Sequence, residues 1–142
     1  MKKTIKSTIS IVLVMVCLFA LVACGEEAPK ESLWKNATYT EDTTLGEGAK
    51  TIVVEVTAEG QGVTFTIKTD KDTVGAALIE HKLIEGDESE FGLYVKKVNG
   101  ILADYDVDKT YWAFNIDGQY ATSGVDTTEI KEGVKYQLAR TK

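Results

Sequence analysis

Apolar and polar residues alternate along two runs in the middle of the chain. In 52–56 and in 63–67 every second residue is apolar, and the sequence between the runs, Glu-Gly-Gln-Gly at 59–62, favours a turn. A period of two is typical of a strand that buries one face. The two runs therefore predict a β-hairpin with one face in the core.

Helical spacing begins after Asp72, which can cap the start of a helix. Val74, Ala77 and Leu78 recur three and four residues apart, so they share one face of a helix, and Gly86 ends the run. The pattern predicts one helix of about three turns.

Short strands with turn residues between them fill the rest of the chain. Asn99-Gly100 and Asp117-Gly118 favour tight turns, because both pairs tolerate positive φ. The strands predicted around these turns are 92–98, 111–116, 119–121 and 134–138. Two strands, one helix and then several short strands predict an α+β domain, namely a small, mostly antiparallel, β-grasp-like sheet that a single helix covers on one face.

The first residues have the layout of an export signal. Three lysines precede an apolar run at 9–24, and this run of 16 residues is shorter than a membrane span of about 20 residues. Leu-Val-Ala-Cys at 21–24 resembles the bacterial lipobox, which implies cleavage before Cys24 and diacylation of that cysteine. We therefore predict a lipoprotein signal at 1–23 and a protein held by lipid on the extracellular face of the cell membrane.

A tether is predicted between the lipid and the domain. The residues 24–49 show no sustained period and hold the only proline, so they predict the lipidated cysteine and a flexible stalk, with the domain at 50–142. Trp34 and Tyr39 are unusual in a linker. They either dock back on the domain or add a short strand in front of it, and both alternatives stay open.

Cysteine content and charge exclude several classes of protein. Cys17 lies in the predicted signal, so Cys24 is the single cysteine left, and neither a disulfide nor thiol catalysis is expected. Without the three lysines of the signal, 22 acidic and 13 basic residues give a net charge of −9, against −6 for the whole chain. An acidic protein repels nucleic-acid phosphates, so no nucleic-acid partner is expected.

Candidate catalytic and metal-binding groups are sparse. His81 is the sole histidine and has no second histidine or free cysteine as a partner, which favours a structural position at the edge of the core. Asp104, Asp106 and Asp108 have the spacing that opens an EF-hand, but Lys109 and Asn115 stand where that loop needs glycine and glutamate. A solvated acidic connection is favoured and weak calcium binding stays open. We expect a protein that is not an enzyme and has no cofactor.

Aromatic residues are concentrated late in the chain, at 105–120. Strand alternation places Trp112 and Phe114 on one face and Tyr111 on the other, with Tyr120 on the next strand. One face packs in the core, and the other presents rings that suit a flat organic ligand or a protein partner. A half-solvated face without any ligand is the alternative.

Several motifs in fixed order resemble a known family. They are Thr-Val-Gly-Ala-Ala-Leu-Ile at 73–79, Phe-Gly-Leu-Tyr-Val at 91–95, Val-Asn-Gly-Ile at 98–101, Tyr-Trp-Ala-Phe-Asn-Ile-Asp-Gly at 111–118, Gly-Val-Asp at 124–126 and Glu-Gly at 132–133. Over about 50–140 the chain resembles a domain of unknown function found in Gram-positive lipoproteins and related to the C-terminal domain of transcobalamin and intrinsic factor.

The resemblance implies a function in ligand binding. In the eukaryotic relatives this β-grasp-like domain contacts one face of cobalamin, while a separate helical barrel holds the other. By this likeness and by the aromatic cluster, the predicted ligand-binding residues are Tyr94, Asn99, Tyr111, Trp112, Phe114 and Tyr120. One hypothesis is capture of a small molecule such as cobalamin or another corrinoid and its delivery to a membrane transporter. The alternative is a surface module for protein interaction or adhesion.

Overall fold

The computed structural model of the protein describes residues 31–142. The predicted signal and Cys24 lie outside the described residues, so cleavage and lipidation stay predictions. Within 31–142, no helix is long and apolar enough to cross a bilayer.

The described chain contains nine strands, two short α-helices and one turn of 3-10 helix at Leu33–Asn36. The strands are β1 (Thr43–Leu45), β2 (Lys50–Ala58), β3 (Gln61–Thr69), β4 (Ile84–Ser89), β5 (Gly92–Val98), β6 (Ile101–Leu102), β7 (Tyr111–Ile116), β8 (Gln119–Tyr120) and β9 (Lys135–Thr141). The helices are α1 (Val74–Glu80) and α2 (Tyr105–Asp108).

The strands form two sheets, which confirms the α+β class and changes the arrangement within it. Six strands form a mixed sheet in the order β1-β3-β2-β9-β7-β8, in which β1 pairs with β3 and β2 pairs with β9 in parallel. The other three form an antiparallel sheet in the order β4-β5-β6. The single sheet expected from the sequence is thus two sheets, and apolar side chains from both belong to one core.

The predicted hairpin of β2 and β3 is confirmed. Ile52 lies opposite Ile67, Val54 opposite Phe65, and Val56 opposite Val63, and all six side chains are buried. The alternation therefore faces the core as predicted, and each of these burials stabilises the fold by about 1.5–3 kcal/mol.

The predicted helix is shorter than its pattern indicated. It begins at Val74 and ends at Glu80, and the Thr73 hydroxyl, rather than Asp72, accepts the capping hydrogen bond from the Ala76 N–H at 3.3 Å. Gly86 lies in the strand β4 at a bulge, where a Cβ would come within 2.0 Å of the Tyr94 carbonyl oxygen. This glycine permits close strand approach instead of ending a helix.

Residues 32–49 are not a stalk. The Trp34 Nε1 donates a 2.9 Å hydrogen bond to the Ala58 carbonyl, and the Tyr39 ring packs edge-on against Phe65 with centroids 5.5 Å apart. Next to them, the strand β1 adds a parallel edge to the large sheet. Of the two alternatives, Trp34 and Tyr39 dock on the domain, and the added strand forms from later residues of the same segment. The domain boundary predicted at residue 50 therefore moves to residue 32, because Ser32–Lys142 form one compact unit.

Candidate functional site

A cavity of about 470 Å³ lies between the small sheet and the end of the large sheet. We call it the groove. Its lining comes from β5, from β7 and from the segment that follows β8, and it consists of Phe91, 93–95, Tyr111, Trp112, Phe114, 120–125, Thr127 and Leu138. Its volume falls within the range usual for small-molecule sites, about 300–1,000 Å³.

The groove forms at the end of the large sheet, beside the last two strands, β7 and β8. The strand β8 pairs only with Asn115 and Ile116, so within residues 31–142 the outer edge of β7 from Tyr111 to Ala113 has no strand beside it. The chain after β8 instead turns over this edge, and the Ala121 N–H donates a 2.9 Å hydrogen bond to the Phe114 carbonyl. This short strand leaves a space between β7 and β5.

The floor of the groove is apolar and buried. Trp112, Phe114, Val125 and Leu138 are each at most 8% exposed. The Phe114 ring stacks nearly parallel on Tyr136, with centroids 6.1 Å apart and an interplanar angle of 14°. Close packing of this kind holds the rings in one conformation, so the floor is preformed.

The rim carries aromatic rings with polar ends. Tyr94 is 44% exposed, Tyr120 is 68% exposed and Phe91 is 91% exposed. Within the described part of the chain, the hydroxyls of Tyr94, Tyr111 and Tyr120 make no hydrogen bond. Each of these hydroxyls can therefore donate to a ligand and accept from it.

The groove is electrically neutral in an acidic protein. None of the residues that line it is Asp, Glu, Lys, Arg or His. A ligand charge placed on the apolar floor would lose its hydration without gaining a counter-charge, and this is costly. The lining therefore suits an uncharged ligand surface.

One polar atom at the floor has no partner. The Trp112 Nε1 is buried and makes no hydrogen bond with any described residue, whereas the Nε1 of the comparably buried Trp34 is paired with Ala58. An unpaired buried donor costs about 1–3 kcal/mol. Such a cost is typical of a site that serves something other than the stability of the free protein.

Five of the six predicted ligand-binding residues line the groove, namely Tyr94, Tyr111, Trp112, Phe114 and Tyr120. Strand alternation places Tyr111 on the opposite face of the sheet from Trp112 and Phe114. The structure nevertheless brings all three to the groove, because the groove lies at the edge of the strand. Their role in binding stays a prediction. The wall formed by 121–125 was not predicted, and the Gly-Val-Asp motif at 124–126 is the single feature of the sequence that points to it.

Asn99 is the exception, because the structure places it outside the groove, apart from the other five predicted residues. Its side chain is buried, with Nδ2 donating to the Tyr39 carbonyl at 2.8 Å and Oδ1 accepting from the Tyr39 N–H at 2.9 Å. The residue also adopts positive φ in the turn between β5 and β6, as its pairing with Gly100 predicts. Asn99 therefore pins the N-terminal segment to the small sheet and does not line the groove.

The other candidate groups lie away from the groove. Asp104 caps α2 by accepting from the Asp106 N–H at 3.0 Å, and Asp108 accepts from Thr110 and from Arg140. The hydrogen bond from the Thr110 hydroxyl, assisted by the Arg140 charge, lowers the pKa of the Asp108 carboxyl. Within 31–142, no group of three or more His, Cys, Asp or Glu residues is placed to hold a metal ion.

His81 lies at the C-terminal end of α1, as its position in the helical pattern indicates. Its imidazole is mostly covered, and its Nε2 stands 3.8 Å from a carboxylate oxygen of Glu80 without any hydrogen bond. A Cβ on Gly46 would come within 2.6 Å of that nitrogen, so the imidazole lies against the segment beside β1. This is a structural contact remote from the groove.

A family model matches the part of the chain that contains the groove. The domain of unknown function DUF4430 matches residues 71–138, a range that includes every lining residue. No curated protein matches the chain.

Two solved structures resemble the fold. The structure of a "putative metal binding protein" from Ruminococcus gnavus matches with a TM-score of 0.63 and 25% identity, over 66% of this chain and 98% of that one. Haptocorrin in complex with Cbi matches with a TM-score of 0.51 and 17% identity, over 65% of this chain and 25% of the haptocorrin chain. The second likeness is one of fold alone, and it supports the resemblance that the sequence motifs indicate.

Proposed function

We propose that the protein binds an uncharged, ring-shaped small molecule in the groove and that this ligand is a corrinoid. The observation that carries the proposal is the groove itself, with its buried aromatic floor, its neutral lining and its unpaired tyrosine hydroxyls. A corrinoid has a flat macrocycle and amide side chains, so it matches both the rings and the hydroxyls. The fold that the chain shares with haptocorrin, which was solved with Cbi, supports the same ligand class.

The proposal includes binding without chemical conversion. The Ser123 hydroxyl lies in the lining, and it is hydrogen-bonded to the Thr128 hydroxyl at 3.1 Å, which is not a base. A nucleophile needs an adjacent general base to be activated, and the lining supplies none. The protein is therefore proposed to capture its ligand rather than to transform it.

The setting proposed for this function is the outer face of the cell membrane. The lipobox-like sequence before Cys24 supports a lipid anchor, and the acidic body disfavours flat contact with an anionic lipid surface. A binding protein held in this way can deliver its ligand to a membrane transporter.

A surface interaction module is the second candidate. Phe91 is 91% exposed beside the groove, and Val107 on α2 is 80% exposed. Large exposed apolar side chains are enriched where a protein partner docks. In this case the aromatic rim would contact a protein and the groove would hold one of its side chains.

Calorimetric titration with dicyanocobinamide tests the corrinoid proposal. Tyr94→Ala removes a rim ring, whereas Tyr105→Ala removes a similarly exposed tyrosine outside the groove and serves as the matched control. We expect saturable binding that weakens about tenfold in Tyr94→Ala and stays unchanged in Tyr105→Ala. Absence of saturation up to millimolar concentration, or equal effects of the two variants, would contradict the proposal.

A further inference from the structure

Asp126 lies behind the groove, at the junction of its two walls. One wall is the start of β5, and the other is the segment 121–125 that precedes Asp126 in the chain. We propose that Asp126 is a positioning residue that clamps these walls together and so sets the width of the groove. The clamp itself does not depend on the proposed function; the expected effect on ligand affinity rests on it.

The clamp is a hydrogen bond from an edge of β5 that has no strand beside it in the described part of the chain. The Leu93 N–H donates to the Asp126 Oδ2 at 3.1 Å. The strand β6 pairs only with Lys97 and Val98, so it ends before it reaches Leu93. The carboxylate takes the position that a neighbouring strand would otherwise fill, and it thereby ties β5 to the segment after β8.

Three glycines leave room for the carboxylate and its backbone. A Cβ on Gly92 would lie 2.7 Å from the Asp126 Oδ2, and one on Gly124 would lie 2.8 Å from its Oδ1. A Cβ on Gly75 would meet the Asp126 backbone at 2.8 Å. Two distant segments, those of Gly75 and Gly92, thus meet Asp126 and the neighbouring Gly124 at distances that a larger side chain does not permit.

The segment is also fixed to the start of α1. The Gly75 N–H donates to the Val125 carbonyl at 2.8 Å, and the Val74 N–H donates to the Thr128 carbonyl at 2.9 Å. These bonds hold one wall whether or not Asp126 is present. The Asp126 carboxylate adds the link to the other wall, so its loss would release the start of β5 and widen the groove.

The contacts also predict which substitution preserves the clamp. The Leu93 N–H needs one acceptor, while the Asp126 Oδ1 is buried and accepts no hydrogen bond from the residues that the structure describes. Asparagine has nearly the same shape and keeps one acceptor oxygen. Asp126→Asn should therefore retain the groove, and Asp126→Ala should not.

The test reads the groove without any ligand. The full chain is labelled with 5-fluorotryptophan, and the two fluorine resonances are assigned with Trp34→Phe. In Asp126→Ala we expect the Trp112 resonance to move and its shift between H₂O and D₂O to increase, while the Trp34 resonance stays in place. Asp70→Ala is the matched control, because the Asp70 Oδ1 accepts one backbone N–H, from Ala49 at 2.9 Å, away from the groove.

Two further measurements keep the test decisive. In the unsubstituted protein the Leu93 amide should be protected from hydrogen exchange. This measurement needs no variant, so it tests the clamp even if Asp126→Ala does not fold. The Kd for dicyanocobinamide should rise about tenfold in Asp126→Ala and stay near the original value in Asp126→Asn.

The outcomes separate the clamp from the ligand. An unprotected Leu93 amide, or a folded Asp126→Ala with an unchanged Trp112 resonance, would overturn the clamp. A moved Trp112 resonance without cobinamide binding by the unsubstituted protein would uphold the clamp and refute the corrinoid proposal.

Discussion

The two tryptophans offer a matched comparison of a paired and an unpaired buried indole. Trp34 is 8% exposed and Trp112 is 7% exposed, but the Trp34 Nε1 is bonded to the Ala58 carbonyl and the Trp112 Nε1 has no partner. The same change, Trp34→Phe or Trp112→Phe, removes the same atoms from equally buried sites. We expect Trp34→Phe to destabilise the fold more.

The size of the difference follows from the hydrogen bond. The loss of packing volume is similar at the two sites and largely cancels in the comparison. Trp34→Phe additionally deprives the Ala58 carbonyl of its donor, whereas Trp112→Phe removes a donor whose burial costs about 1–3 kcal/mol. The free energies of unfolding of the two variants should therefore differ by about 2–4 kcal/mol, with Trp112→Phe the more stable.

Urea unfolding at pH 7, followed by far-ultraviolet circular dichroism, measures this difference. The slopes of the two variants should agree, so that the midpoints report stability alone. If Trp112→Phe proved as destabilising as Trp34→Phe, the Trp112 indole would have a partner in solution, and the reasoning about an unpaired donor at the floor would be refuted.

Three other predictions address the corrected and the remaining sites. Asn99→Ala should lower the free energy of unfolding in urea by about 2–4 kcal/mol, because two buried hydrogen bonds to the N-terminal segment are lost. The affinity for cobinamide should not change, and weaker binding would return Asn99 to the site. The hydrogen bond from Thr110 lowers the pKa of Asp108, so the ionised Asp108 stabilises the fold at neutral pH, and this stabilisation is lost as the pH falls below the usual value of 3.8. Asp108→Asn should therefore narrow the difference between the urea midpoints measured at pH 7 and at pH 2.5. A difference equal to that of the unsubstituted protein would contradict this. A chain of residues 50–142 lacks Trp34 and the edge strand β1, so its circular dichroism should show it largely unfolded under conditions in which 32–142 is folded. Equal stability of the two chains would mean that 32–49 is a stalk after all.

The regular strands were predictable because their burial repeats at the strand period. Residues 52–58 of β2 and 63–69 of β3 alternate between buried and more exposed positions, and the sequence records this directly. In contrast, β4 buries Ile84 alone and exposes its other residues, so its sequence has the composition of a loop. Pairing with β5 determines that strand, and tertiary pairing of this kind leaves no local period.

The prediction of a stalk in the N-terminal segment was wrong for a similar reason. Its three-residue strand β1 is too short to show a period, and its stability comes from single contacts of Trp34 and Tyr39 with distant residues. The two aromatic residues were a sound signal that the segment is not a simple linker. Their partners, Ala58 and Phe65, could not be identified without the fold.

The site was partly predictable for a physical reason that applies to aromatic clusters. Rings concentrated on one strand have to be buried or bound, so Trp112 and Phe114 stood out before the structure. Asn99 was misplaced because its turn geometry is local, whereas its side-chain bonds to Tyr39 span 60 residues. Asp126 stands out in the sequence only through the Gly-Val-Asp motif at 124–126, and its link to β5 could not be predicted, because its contacts with Gly75 and Gly92 arise only in the folded chain.

Mapping the contact surface of the ligand tests the central claim most directly. Two-dimensional ¹H–¹⁵N spectra of the protein are recorded while dicyanocobinamide is added. The proposal predicts saturable shifts confined to 91–95, 111–114, 120–127 and Leu138, the parts of the chain that line the groove. Absence of shifts, or shifts centred on β1 to β3 at the other end of the large sheet, would contradict it.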